Sequence, residues 1–203
     1  MPRSVPAARP RSKNEIEMVA RKIILLSQPE CLTSPVAFEI ERFFDCDLEG
    51  LTGVQTDYRE LPVGVHGLTD CEAKISIISS KIADPKNKSA RRFRNSTTAH
   101  ETAHAILHVA DFRRRREAIK LINNGRDVGI KLYREEEIEA YRNPEWQAWQ
   151  FAKSLLMPRE MVRYAVLKLG YNMRDLCETF DLHPAFVRVR LKELELLDKV
   201  NAL

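Results

Sequence analysis

From Asn14 onward, apolar positions recur at helical spacing. Ile16, Val19, Ala20, Ile23, Ile24 and Leu26 fall on one stripe, with Asn14 as the expected N-cap. A second helix is expected to start near Pro35, to turn Ala37, Phe38, Ile40, Phe43 and Phe44 inward, and to end before Gly50. The period then changes. Val54, Thr56 and Tyr58 alternate, Gly64 and Gly67 punctuate, and residues 73–79 read as a half-buried strand. After the turn at Asp84-Pro85 helical spacing returns, running through Arg92, Thr98, His100 and His104 to about Val109, with Ser89 or a neighbour as cap. Asn143-Pro144 signals the start of a further apolar helix that stops at Pro158. Beyond it, residues 173–180 and 184–196, separated by Asp181-Leu182-His183, imitate a helix-turn-helix, with Asn172 and Pro184 at the helix starts. Helices around one small sheet, followed by helices alone, predict an α+β fold. The expected division is a tail at 1–13, a main domain at 14–158 and a helical C-terminal subdomain at 159–203.

Composition sharpens the ends of this pattern more than its middle. Residues 1–13 carry Arg3, Arg9, Arg11 and Lys13, three prolines and no acid, which predicts a disordered basic tail. An arginine-rich leader of this kind also resembles an organelle transit peptide, although its prolines oppose an amphipathic helix. The 203 residues are 44% hydrophobic, enough for a real core. Lys plus Arg exceed Asp plus Glu by 33 to 29, a net charge of +4 that does not by itself indicate nucleic acid or an anionic membrane. Cys31, Cys46, Cys71 and Cys177 lie far apart with no C-x-x-C pair and are expected to be free thiols. No apolar run approaches the ~20 residues of a membrane span, and nothing at the start resembles a secretion signal. The expected location is the cytoplasm.

The chemistry centres on His100-Glu101-Thr102-Ala103-His104, of the form H-E-x-x-H. Two histidines four apart on a helix project from one face and can close on a single zinc ion, with the intervening glutamate beside the attacking water. His108 continues the spacing. On a straight helix, however, it stands ~12 Å along the axis from His100, too far to share an ion, and it is expected to pack or hydrogen-bond beneath the site. The third ligand must come from another element, and a carboxylate is the usual choice. Glu117, Glu135, Glu136, Glu137, Glu139 and Glu145 follow the motif. The consecutive acids point all round a helix and cannot serve one site, whereas Glu145 opens the first turn of an apolar helix. It is the chosen third ligand.

Two blocks carry a resemblance. Arg91-Arg92-Phe93-Arg94 leads into the H-E-x-x-H motif and on through Ala105, Ile106, Leu107 and His108; Pro144-Glu145-Trp146-Gln147-Ala148 begins a second block that ends at Leu155-Leu156-Met157-Pro158. Together they resemble the ImmA/IrrE family of metallo-endopeptidases, firmly over residues 91–160 and weakly over the rest of 35–196. The resemblance implies a minimal zincin-like (gluzincin) fold and cleavage of a protein substrate, typically a repressor of a mobile element or of a stress response. It also places the family's glutamate ligand on Glu145. One position departs from the family. Four residues after the glutamate, where Asp or Asn usually supports a metal-binding histidine, stands Trp149.

The expected mechanism is zinc-assisted hydrolysis, with His100, His104 and Glu145 as ligands and Glu101 moving the proton. His66, His108, Tyr133, Tyr141 and His183 are the available oxyanion donors, and the sequence does not choose among them. Residues 74–79 are nominated as the edge strand that pairs with an extended substrate. The basic run from Lys81 to Arg94 is expected to be a solvated face. The long connection through Arg113–Arg116 and residues 121–131 is either a substrate-selecting lid or a solvated insertion. The competing reading is a non-proteolytic regulator that binds a partner or DNA, with Arg188, Arg190 and Lys192 on its second tail helix. Against it, Val187, Leu191, Leu194 and Leu197 form an apolar face suited to packing on the main body.

Overall fold

The computed structural model describes residues 4–201; Arg3 of the expected tail and residues 202–203 lie outside it. In chain order the elements are β1 (Ser4–Pro6), α1 (Lys13–Ser27), α2 (Ile40–Arg42), α3 (Leu48–Thr52), β2 (Gln55–Arg59), β3 (Gly67–Asp70), β4 (Ile75–Ser79), α4 (Ser80–Ala83), α5 (Lys88–His104) and α6 (Ala110–Ile122). There follow β5 (Leu132–Arg134), α7 (Pro144–Leu156), α8 (Arg159–Leu167), α9 (Met173–Thr179), α10 (Pro184–Glu193) and α11 (Leu197–Asn201). This is the α+β architecture expected, a small sheet packed on helices.

The N-terminal segment is not a disordered tail. β1 pairs antiparallel with β5, and Val5, Ala7 and Ala8 are buried. Arg11 donates to the Leu107 carbonyl at 2.9 Å and to Asp111 Oδ2 at 2.6 Å, so its charge is neutralised by partners about a hundred positions away. Ser12, not Asn14, caps α1, in a capping box with Glu15. The second helical run starts at Ile40 rather than Pro35. It continues through a π segment at Phe43–Asp47 into α3, past Gly50, until Gly53 ends it at φ 67°.

The three-stranded sheet has the order β2-β4-β3, with β4 parallel to β2 and antiparallel to β3. The strand nominated for substrate pairing is therefore central, with ladder partners on both sides. Burial of residues 76–79 on both faces fits that place, because an edge strand would keep one row of polar groups in water. The edge beside α5 belongs to β3, visible in the sequence only as glycine punctuation.

Packing brings the site's two helices together. Ala99 and Ala103 on α5 and Ala148 and Ala152 on α7 are fully buried in one core, and such small side chains allow close approach of the backbones. The same apolar core runs across Pro158 without a break, taking in Leu176, Phe180, Val187 and Leu191. Arg190, expected on a DNA-facing surface, is instead 2% exposed; it donates to Glu17 at 3.0 Å and to the Met157 carbonyl at 3.1 Å. Arg188 and Lys192 remain exposed.

The basic run 81–94 is only in part a solvated face: Lys81, Lys86, Lys88 and Arg91 are exposed. Arg92 and Arg94 are buried, and Arg94 donates to Glu41 and to the Ala83 carbonyl, both at 2.8 Å. Asp181, in the turn between α9 and α10, accepts from Arg91 at 2.6 and 2.8 Å, from Arg92 at 3.3 Å and from Asn95 at 3.1 Å. Burial tends to raise the Asp181 carboxyl, but pairing with Arg91 and Arg92 outweighs it and holds it below the ordinary 3.8. The stabilisation is therefore present above that value and lost as pH falls through the folded-state value. Asp181→Asn tolerates the positive φ at this position but removes the charge. It is expected to cost about 2 kcal/mol at neutral pH, and the deficit should shrink in acid, as read by urea unfolding at pH 7 and below pH 3.

Candidate metal centre

Asn87 caps α5, its side chain accepting from the Ala90 amide, and the helix runs unbroken through the H-E-x-x-H motif. His100 and His104 turn their Nε2 atoms toward each other at 3.1 Å. Glu145 enters from the first turn of α7, where Asn143 accepts from the Glu145 and Trp146 amides and Pro144 occupies the first helical position. Its carboxylate sits at the positive end of that helix, with Oε2 at 3.2 Å from His100 Nε2 and Oε1 at 3.7 Å from His104 Nε2. One ligand atom from each residue lies within 4.8 Å of the others. Tetrahedral zinc with bonds of 2.0–2.1 Å spaces its ligands about 3.4 Å apart, so this triangle is the right size for one ion. The donor set, two imidazoles and a carboxylate, also suits it. The geometry thus brings together the three residues selected from the sequence.

Glu101 occupies the gap between α5 and β3. Thr69 Oγ1 donates to Glu101 Oε2 at 2.7 Å, and Gly67 lies so close that a Cβ there would fall 2.5 Å from Glu101 Cγ. Neither residue was singled out for this role in the sequence. A glycine needed for close approach looks like any turn glycine until its neighbour is known, and Thr69 carries no signal at all. The site opens into a cavity of about 1020 Å³. β3 and the turn before it, which carries His66, form one wall, and β1, β5 and residues of α6 such as Arg113 and Arg116 contribute to the others. Of the long connection after the motif, Arg113, Arg116 and Ile130 line the cleft and residues 121–128 are exposed, while α5 passes through a π segment (Ala105–Val109) directly into α6.

Of the five oxyanion candidates, His66 lines the cleft; its ring packs edge-on against Phe93 at 4.9 Å. Tyr141 donates to Glu139, and the His183 ring caps α10. Glu135–Glu137 form a separate 3-10 turn and belong neither to the histidine–glutamate cluster nor to the cleft lining. His108 is fully buried behind His104, with the two Nδ1 atoms at 3.0 Å, and burial pushes its imidazole down to about 3. An i→i+5 turn holds more residues than the 3.6 of an α-turn, so residues four apart stack more nearly in line there.

Trp149 lies over the His100 ring, centroids 4.3 Å apart, and also meets Phe186 at 6.5 Å. The buried His100 Nδ1 has no hydrogen-bond partner. A π surface thus covers the ring where a polar side chain would have met Nδ1, so His100 is oriented from its Nε2 side alone. Trp149→Asn is expected to supply the partner and to tighten zinc binding about tenfold, measured by competition with a chromogenic chelator; unchanged or weaker binding would refute this role.

Helical layers over a small sheet, with two histidines and a glutamate converging beside an edge strand, define a zincin-like α+β domain. Residues 85–192 match the peptidase M78 family, described as an IrrE N-terminal-like domain, and the chain belongs to that family. Among solved structures, it is similar to a Mycobacterium tuberculosis transcriptional regulator, with a TM-score of 0.56 and 13% identity over 89% of this chain. That likeness concerns the fold, and the chain spans 57% of the regulator's length. No curated protein matches the chain.

Proposed function

We propose that the protein is a zinc-dependent endopeptidase that cleaves a protein substrate, such as a transcriptional repressor of a mobile element or of a stress response. One observation carries the reading: His100, His104 and Glu145 converge on a cleft whose wall also presents Glu101. Zinc held by those three side chains would supply Lewis acidity, polarising a carbonyl and lowering the pKa of water toward ~7. The chain's own residues do the rest. Glu101 takes a proton from the attacking water and returns it to the leaving amine, and Thr69 keeps its carboxylate in one orientation. His66, on the same side of the cleft as Gly67, is the candidate donor to the developing oxyanion. The outer edge of β3 gives an extended substrate a row of main-chain partners.

The DNA-binding alternative is weaker because Arg190 is committed to Glu17 and the core-facing side of α10 is apolar. A cytoplasmic setting goes with the proposal, since the four cysteines are free thiols and no helix among the described residues is long and apolar enough to cross a membrane. The test is to incubate the zinc-loaded protein with a library of proteome-derived peptides and to identify new termini by mass spectrometry. Wild type should cut at a restricted set of sequences, and Glu101→Gln should be slower by about 100-fold or more. Absence of cleavage, or equal cleavage by the variant, would remove the peptidase reading.

A further inference from the structure

The two histidines of the candidate centre are supported differently, and the difference begins at Gln147. This side chain is fully buried on α7. Its Nε2 donates to the Arg9 carbonyl at 2.8 Å and to the Tyr141 carbonyl at 2.7 Å, while its Oε1 faces Arg11 Nη1 at 3.2 Å and His108 Nε2 at 3.1 Å. The amide cannot be turned over, because its oxygen would then face two carbonyl oxygens and its nitrogen would face a guanidinium. Its Oε1 is an acceptor only, so the hydrogen between Gln147 and His108 belongs to His108 Nε2.

The rest follows from the rules of a neutral imidazole. His108 is buried, its two ring partners are His104 and Gln147, and the Arg11 guanidinium stands on the far side of the same amide oxygen. With hydrogen on Nε2, its Nδ1 is a bare acceptor, and that atom lies 3.0 Å from His104 Nδ1. His104 must therefore carry its own hydrogen on Nδ1. Its Nε2 then carries the lone pair, and that atom faces His100 Nε2 at 3.1 Å and Glu145 Oε1 at 3.7 Å.

We propose that Gln147, anchored by the Arg9 and Tyr141 carbonyls, acts through His108 as a tautomer lock on His104, presetting its Nε2 as a metal-binding atom. Gln147 and His108 are positioning residues in this account, and the N-terminal segment becomes a structural part of the centre. His100 has no such support, because its Nδ1 is an orphan beneath Trp149. The lock rests on the metal-site reading above, yet it is set in the metal-free protein and can be tested there.

The experiment is a long-range proton–nitrogen correlation spectrum of the full chain, ¹⁵N-labelled in its five histidines and free of metal, combined with zinc titration. Wild type should show His104 as the Nδ1–H tautomer and His108 as the Nε2–H tautomer. Gln147→Met keeps the volume but removes the amide. It should mix the His104 tautomers and weaken zinc binding by about 10- to 100-fold. His108→Gln, whose amide can accept from His104 and donate to Gln147, should stay within about threefold of wild type, whereas His108→Leu should show the full loss. An Nε2–H tautomer at His104 in wild type overturns the lock without any variant having to fold. So does zinc affinity in His108→Leu equal to that in His108→Gln. In either case zinc binding and cleavage by wild type would still stand, so the lock can fail while the peptidase reading survives.

Discussion

Glu145→Ala is expected to lower zinc affinity by more than about 100-fold, beyond the upper end of what loss of a merely supporting partner costs, and to abolish cleavage with it. The reason is geometric. His100 and His104 come from one helix and present two nitrogens 3.1 Å apart, and only the carboxylate from α7 closes the triangle. With two ligands left, the ion would be held mainly by water. The fold should survive, because Glu145 lies at a helix start already capped by Asn143 and contributes nothing to the apolar core. Equilibrium dialysis against zinc, with circular dichroism as a check on folding, measures both. Undiminished affinity in the folded variant would mean that Glu145 is not a ligand.

Gly67→Ala should separate binding from chemistry. Its backbone is not in a conformation reserved for glycine, so alanine fits the strand, but the added methyl would stand 2.5 Å from Glu101 Cγ and 2.9 Å from Cδ. Either β3 retreats or Glu101 swings out of the gap and loses Thr69. Displacement of a catalytic group by about 1 Å typically costs about 100-fold, so cleavage should fall by that order while zinc affinity stays near wild type. Steady-state rates on a cleaved peptide, alongside zinc titration, give the comparison. A variant as fast as wild type would show that Glu101 does not need its present position.

What could be read from the sequence, and what could not, divides along local and non-local lines. His100, His104 and Glu101 were legible because a helix period places them on one face, and Glu145 because Asn143-Pro144 announces a helix start. The amphipathic stripe of α1 was legible for the same reason, though its cap was placed two residues late. Pairings between distant segments leave no such trace. β1 looked disordered because its partner, β5, lies some 130 residues on, and Arg11 looked like part of a charged tail because Asp111 and the Leu107 carbonyl are about a hundred residues away. Arg190 was misjudged for the same reason, Glu17 being at the other end of the chain. The central place of β4 depends on β2 and β3 flanking it, and the role of Gly67 depends on α5 passing behind it. His108 stands outside the His100–His104–Glu145 cluster, and nothing in its own residues marks the π segment in which it stacks behind His104.

The proposed activity requires one metal ion held by His100, His104 and Glu145, three side chains from two helices. Anomalous diffraction at the zinc edge from a zinc-soaked crystal tests it most directly. The account predicts a single strong peak bonded to His100 Nε2, His104 Nε2 and the Glu145 carboxylate at 2.0–2.2 Å, with Glu101 nearby but not bonded. A peak elsewhere, or none at this triangle at saturating zinc, would contradict it.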